Sequence, residues 1–137
     1  MTVELVLLIP VLILMLWFLI FCGRMADSRL RIEDAAHQAA RAASMQRTDA
    51  EAAAHARATA VEALNDAGIT CRSLAVDTSG SVRPGGTVTA TVACRVDLHD
   101  LGLLRMPGTA MLDARFTAPV DTHRGTAATA AREGDEP

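Results

Sequence analysis

Between Leu5 and Cys22 the chain runs for eighteen residues without a charge or a glycine, LVLLIPVLILMLWFLIFC. As a helix this run spans about 27 Å, close to the hydrocarbon thickness of a bilayer. Its Leu, Ile, Val and Phe residues each favour insertion by about 0.3–0.6 kcal/mol near the membrane centre, so together they contribute several kcal/mol. A buried core helix is a poor reading, because so small a remainder could hardly wrap a helix that is apolar on all sides. A cleaved secretory signal needs a basic segment before the run and a small-residue cleavage site after it, and neither is present. The pattern therefore predicts a single uncleaved transmembrane helix over 5–23, with a short polar flank at 1–4. Pro10 lies inside it, where its missing N–H leaves the Val6 carbonyl without a donor and predicts a slight kink of a kind that membrane helices tolerate.

After Gly23 the pattern becomes amphipathic, and region 24–68 reads as Ala-rich helix. Leu30, Ile32, Ala36, Ala39, Ala40 and Ala43 are assigned to one broad face, and Glu33, His37 and Arg41 to another at i, i+4 and i+8. A polar stretch at 46–49 is a candidate break. Thr48 and Glu51 then form a Thr-x-x-Glu capping box for a second helix. Ala53, Ala56, Ala60, Leu64 and Ala67 are expected to face inward there, and Gly68 to stop the helix. Two separate helices and one bent rod both satisfy the pattern.

From residue 69 to 121 the period changes to two. Val88, Ala90, Val92, Cys94, Val96 and Leu98 alternate with polar residues, as in a half-buried strand. Cys71–Asp77 is a shorter strand before it, with TSGSVRPGGT (78–87) as the turn between them. Ala110, Leu112, Ala114, Phe116 and Ala118 alternate in a third strand that Pro119 ends. The connection DLGLLRMPG (100–108) is apolar for a loop and is expected to cover a sheet edge or touch the membrane surface. Residues 122–137 are polar and Ala/Gly-rich, and a disordered tail is expected. The fold class is α+β: a single transmembrane helix continuing into an Ala-rich amphipathic helix, a second helix, then a small antiparallel sheet of about three strands.

Composition sharpens this picture in two ways. Net charge is −3 and all thirteen basic residues are Arg, so nothing points to a nucleic-acid partner. Of the aromatic residues, Trp17, Phe18 and Phe21 lie in the apolar run, which leaves Phe116 as the only aromatic beyond it. The core outside the membrane must be thin, and needs help from a disulfide, the membrane or a partner.

Cys71 and Cys94 lie almost symmetrically about Ser81–Pro84, so an antiparallel hairpin brings them opposite each other and a cross-strand disulfide is feasible. Direct pairing places Ser73 and Ala75, not Leu74 and Val76, on the apolar face; a single bulge would reconcile the two patterns. Two buried free thiols are the alternative. A disulfide implies an oxidising, extracytoplasmic compartment. Cys22, in the apolar run, reads as a small apolar filler, with lipidation as the lesser alternative. The charges point the other way. Arg24, Arg29 and Arg31 follow the apolar run and no basic residue precedes it, which keeps the domain cytoplasmic unless basic residues upstream of Met1 have been removed.

No catalytic constellation emerges. His37, His55, His99 and His123 are scattered, form no metal-ligand spacing with the cysteines, and read as solvated surface residues. No serine sits in a nucleophile-elbow context, and Gly85–Gly86 is turn chemistry. No enzyme, metal or cofactor is expected. Glu4, at the very edge of the apolar run, reads either as an ordinary flanking charge at the headgroups or as a carboxylate with a specific partner.

The ordered combination of Glu4, Pro10, Gly23–Arg24 and the string Ala35, Ala36, Ala39, Ala40, Arg41, Ala42, Ala43 resembles the start of TadE-like proteins, minor pseudopilins of the tight-adherence (Flp) pilus system. The Cys-bearing strands and the ending TAPVDTHRG resemble actinobacterial-type members, so the likeness covers about residues 2–125. The resemblance implies a basic cytoplasmic leader cut by a prepilin peptidase, an exported domain, and a helix that packs with pilin or pseudopilin subunits or the inner-membrane pilus platform. The removed leader would supply the missing positive charges. In related pilins the carboxylate at the fifth mature position pairs with the free N-terminal amine of a neighbouring subunit, and Glu4 would take that docking role. The expected protein is a non-enzymatic pilus assembly protein in the cell membrane, single-pass, its domain extracytoplasmic. The alternative is a generic membrane-anchored cell-surface binding domain.

Glu4 is fourth from Met1, and one residue ahead of Met1 restores the pilin spacing. N-terminal sequencing of the protein from native membranes, expressed with its upstream DNA, is expected to give a free N-terminus one residue ahead of Met1. An N-terminus at Met1 itself would leave a plain signal anchor.

Overall fold

The computed structural model describes residues 2–101 and 107–125. Its elements are α1 (Thr2–Ser44), α2 (Asp49–Asp66), β1 (Ser73–Gly80), β2 (Thr87–Asp97), a single turn α3 (Leu98–Leu101) and β3 (Thr109–Pro119), followed by a 3₁₀ turn at Thr122–Gly125. The expected α+β class, with a long apolar helix, a second helix and a three-stranded antiparallel sheet, is borne out.

α1 is one unbroken helix of 43 residues, about 65 Å long at the helical rise. It meets two environments. Every residue from Thr2 to Ile20 is exposed, the large apolar ones included. From Ile32 onward a stripe is buried, formed by Ile32, Ala35, Ala36, Ala39, Ala40 and Ala43. Leu30 does not join it and is 63% exposed. The expectation fails there because Leu30 lies about 200° around the helix from Ile32, and Ala35 occupies the face instead.

α2 begins at Thr48, whose extended backbone and hydroxyl cap the helix, the oxygen accepting from the Glu51 N–H at 3.2 Å. Its buried stripe is Ala52, Ala56, Ala60 and Leu64, packed on α1. Ala53 is exposed, one residue or about 100° off this stripe, and Ala67 serves as the half-buried C-cap. The helix ends in a Schellman motif. Gly68 adopts φ 72°, and the Ile69 N–H reaches back to the Leu64 carbonyl at 2.9 Å.

The sheet runs β1-β2-β3, antiparallel throughout. β2 turns Val88, Ala90, Val92, Cys94 and Val96 into the core. α1 lies over β2 and β3, and α2 over β1. The opposite face is polar and laced by cross-strand bonds between Thr89 and Thr117 (2.8 Å) and between Arg115 and Thr91 (3.3 Å).

The register corrects two expectations. Leu74 pairs with Cys94 and Val76 with Val92 in an unbroken ladder from Ser73 to Gly80, with no bulge. Leu74 and Val76 therefore face the core side while Ser73 and Ala75 face solvent, and Cys71 falls outside the strand. Apolar burial sets this register, because a one-residue slip would turn the whole strand over. The strand also runs three residues past Asp77, so the turn shortens to 81–86. Gly80 closes β1 at φ 106°, where a Cβ would collide with the Thr87 carbonyl. In β3, Leu112, Ala114 and Ala118 are buried, but Phe116 stays 38% exposed at the rim. Of the 100–108 connection, residues 102–106 lie outside the described residues; of the 122–137 tail, 126–137 do.

Eleven of the twenty buried apolar residues among those described are Ala. Each hides little area, so burial energy per residue is low and the layers must approach closely to gain contact. Ala40, fully buried on α1, has no room for a larger side chain. Ala40→Leu is expected to destabilise the domain by about 1–3 kcal/mol, seen as a lower chemical-unfolding midpoint in mild detergent. Leu30→Gln, on the exposed face, should leave the midpoint nearly unchanged.

Candidate docking site on the membrane helix

The exposed half of α1 defines the site. By length and composition it is able to cross a membrane, and none of its apolar window is buried in the protein. Every residue of the run from Leu5 to Ile20 is exposed, and only Phe21, near its end, is half-buried. A helix apolar all round and uncovered calls for lipid or other apolar helices.

Glu4 sits in the first turn of α1. Among the described residues no hydrogen bond or ion pair engages it. The N-terminal end of the helix dipole favours a carboxylate by about 0.3–1 kcal/mol. Placing that charge in hydrocarbon costs more, about 2.5–3.5 kcal/mol even on the milder scales. The dipole alone therefore does not hold Glu4 inside an apolar layer; water, headgroups or a cation must. Pro10 lies within the continuous helix, its ring on the exposed surface.

At the other end of the span the helix meets the domain. Arg31 donates through Nε to Asp27 at 2.8 Å and through Nη1 to the Ala67 carbonyl at 2.9 Å. One guanidinium thus ties α1 to the C-terminal end of α2. The Asp27–Arg31 spacing of four was legible as a helical pair. The Ala67 contact, thirty-six residues away, had no local signal.

Cys71 and Cys94 are joined by a disulfide with Cα atoms 5.4 Å apart. The geometry differs from direct opposition: Leu74 occupies the place across from Cys94, and Cys71 reaches over from the loop that follows α2. Arg72, at a bend in that loop, donates its N–H to the Arg95 carbonyl at 2.7 Å, and its side chain pairs with Asp97 at 3.1 Å. The bond fixes the α2–β1 loop to the central strand. Cys22 is an exposed free thiol on the span.

His55, His99 and His123 are exposed, but His37 departs from the expected solvated role. Its ring meets Phe116 edge-on, with centroids 4.2 Å apart and planes at 81°. The contact joins α1 to the sheet rim in a core otherwise lacking aromatics. Among the described residues no group of three or more His, Cys, Asp or Glu could hold a metal ion.

The fold and site define a small α+β domain carried on a helix able to span a membrane. Residues 1–41 match the family model of TadE-like proteins, and the resemblance is borne out over that segment, which holds Glu4, Pro10, Gly23–Arg24 and the Ala-rich string as far as Arg41. No curated protein and no solved structure gave a match.

Replacing both Cys71 and Cys94 by Ser opens a loop closed over 23 residues. The expected loss is about 3 kcal/mol, measured as a lower unfolding midpoint that matches wild type treated with reductant.

Proposed function

We propose that this chain is a pilus assembly protein of the tight-adherence type, a minor pseudopilin in character, that acts by helix packing and carries out no catalysis. The observation that carries the reading is the coincidence of two features on one helix. The segment that matches the TadE-like family, residues 1–41, includes the uncovered apolar run of α1 and, except for Ala43, the buried stripe that seats the domain.

In this reading α1 anchors the protein in the cell membrane as a single pass, with the α+β domain on the extracytoplasmic side. The Cys71–Cys94 disulfide favours that side, because such bonds persist in oxidising compartments. Its partners are the lipid bilayer, pilin or pseudopilin subunits and the inner-membrane platform, with a prepilin peptidase acting on a leader upstream. Glu4 is the polar register point. A carboxylate drawn into an apolar helix bundle is held only by an opposite charge, and the free amine of a neighbouring subunit is such a charge.

The test is Glu4→Ala in a strain that assembles the pilus. Membrane insertion is expected to be intact, since the change removes a charge from the edge of the span. Co-purification with pilus components is expected to be lost, and unchanged assembly would remove the docking role from Glu4.

A further inference from the structure

We propose that the cleft at the foot of the domain, where α1 leaves the span, is a binding site for a phospholipid phosphate, with Arg24 as its cation. The inference rests on the membrane reading above and adds a site to it.

Depth comes first. The apolar run ends at Cys22, and Arg24 follows two residues later, about 3 Å further along the axis. The headgroup layer is about 5–7 Å thick on each side of the hydrocarbon. Arg24 therefore stands at phosphate level on whichever side the domain lies. α1 is continuous through this point, so no hinge separates the cleft from the span.

The cleft itself has a volume of about 300 Å³ and lies between α1 and the loop after α2. That is the small end of ligand-sized sites and suits a headgroup, not a whole lipid. Arg24, Asp27 and Arg31 are its charged residues, and Thr70 adds a hydroxyl. Asp27 is occupied by Arg31, and Arg31 also holds the Ala67 carbonyl. That second bond covers an exposed carbonyl at the negative end of α2, which would otherwise repel an anion. Nearby, Arg29 pairs with Glu33 at 3.5 Å and Arg72 with Asp97 at 3.1 Å. Arg24 alone among these arginines has no ion pair among the described residues. The cleft thus carries a net charge of +1, all of it on a guanidinium with free donors, whose fork matches two phosphate oxygens. The disulfide at Cys71 holds the other wall, since it pins the loop that contains Thr70.

The chemistry recognised is a phosphate anion; the source assigned is a lipid headgroup, because the bilayer delivers it at this depth. The test uses the full chain in detergent micelles and counts retained molecules by native mass spectrometry. The probes are phosphatidylglycerol, a diacylglycerol of the same chains without phosphate, and inorganic phosphate as competitor. Wild type is expected to retain one phosphatidylglycerol and no diacylglycerol. Arg24→Gln should lower retention about tenfold, the effect of losing one charge-assisted contact, while Arg24→Lys keeps part of it and Arg29→Gln keeps all. Equal retention by wild type and Arg24→Gln overturns the site. Displacement of the lipid by millimolar inorganic phosphate reassigns the cleft to free phosphate and overturns the lipid assignment. A chain that remains soluble without detergent overturns the membrane reading itself, which separates that failure from failure of the site.

Discussion

One continuous hydrogen-bonded helix governs this structure. Apart from the donor missing at Pro10, the helical ladder of α1 satisfies its interior backbone groups, which is the condition for passing through hydrocarbon. Its first half presents large apolar side chains in every direction. Its second half narrows to a stripe of Ala on one side and charge on the others. No loop separates the two halves, so the domain's orientation relative to the span is set by helix geometry and not by a linker. α2 packs on α1, and β2 and β3 pack against the same helix.

The Ala stripe has a cost that explains other features of the fold. Small side chains let helices and sheet approach closely, but they bury little area, so hydrophobic stabilisation is modest for a domain of this size. Covalent and polar ties compensate. The disulfide fixes the α2–β1 loop to the central strand, Arg31 fastens the far end of α2 to α1, and the Asp49 carboxylate accepts from the Val82 N–H at 3.4 Å across the β1–β2 turn. The end of β3 is tied to that turn by the Val120 N–H, which donates to the Gly86 carbonyl at 2.9 Å. His37 against Phe116 supplies the one aromatic contact found among the described residues. These ties are spread over the domain, so each element is held at more than one point.

The proposed assembly role uses the same economy. In that role α1 would be both membrane anchor and domain frame, with no joint between the two parts. Packing by such a helix needs a register mark, because uniform apolar surfaces slide past one another with little change in energy; a single charge at the helix end is such a mark. Arg24 sits at the opposite end of the span, so the two charges bracket the apolar run.

Much of this was legible in the chain order. The eighteen-residue apolar run, the change of period from helical to alternating near residue 69, and the strong alternation of β2 each follow from local spacing, because a helix repeats at 3.6 residues and a strand at two. Those patterns were enough for the α+β class; the TadE-like resemblance came from the ordered combination of Glu4, Pro10, Gly23–Arg24 and the Ala-rich string. What local spacing left open was which of several compatible faces would be covered. Leu30 was placed inward and lies outward, Ala35 and Ala52 were passed over and are buried, and Phe116 reaches the rim instead of the core. Ala faces are nearly equivalent in hydrophobicity, so only the shape of the partner surface chooses between them. The Leu74–Cys94 register, with Cys71 bonding from outside the strand, and the Arg31 contact to Ala67 are likewise decisions of the tertiary structure. They depend on distances between residues far apart in the chain, and those distances exist only once α1, α2 and the sheet have packed.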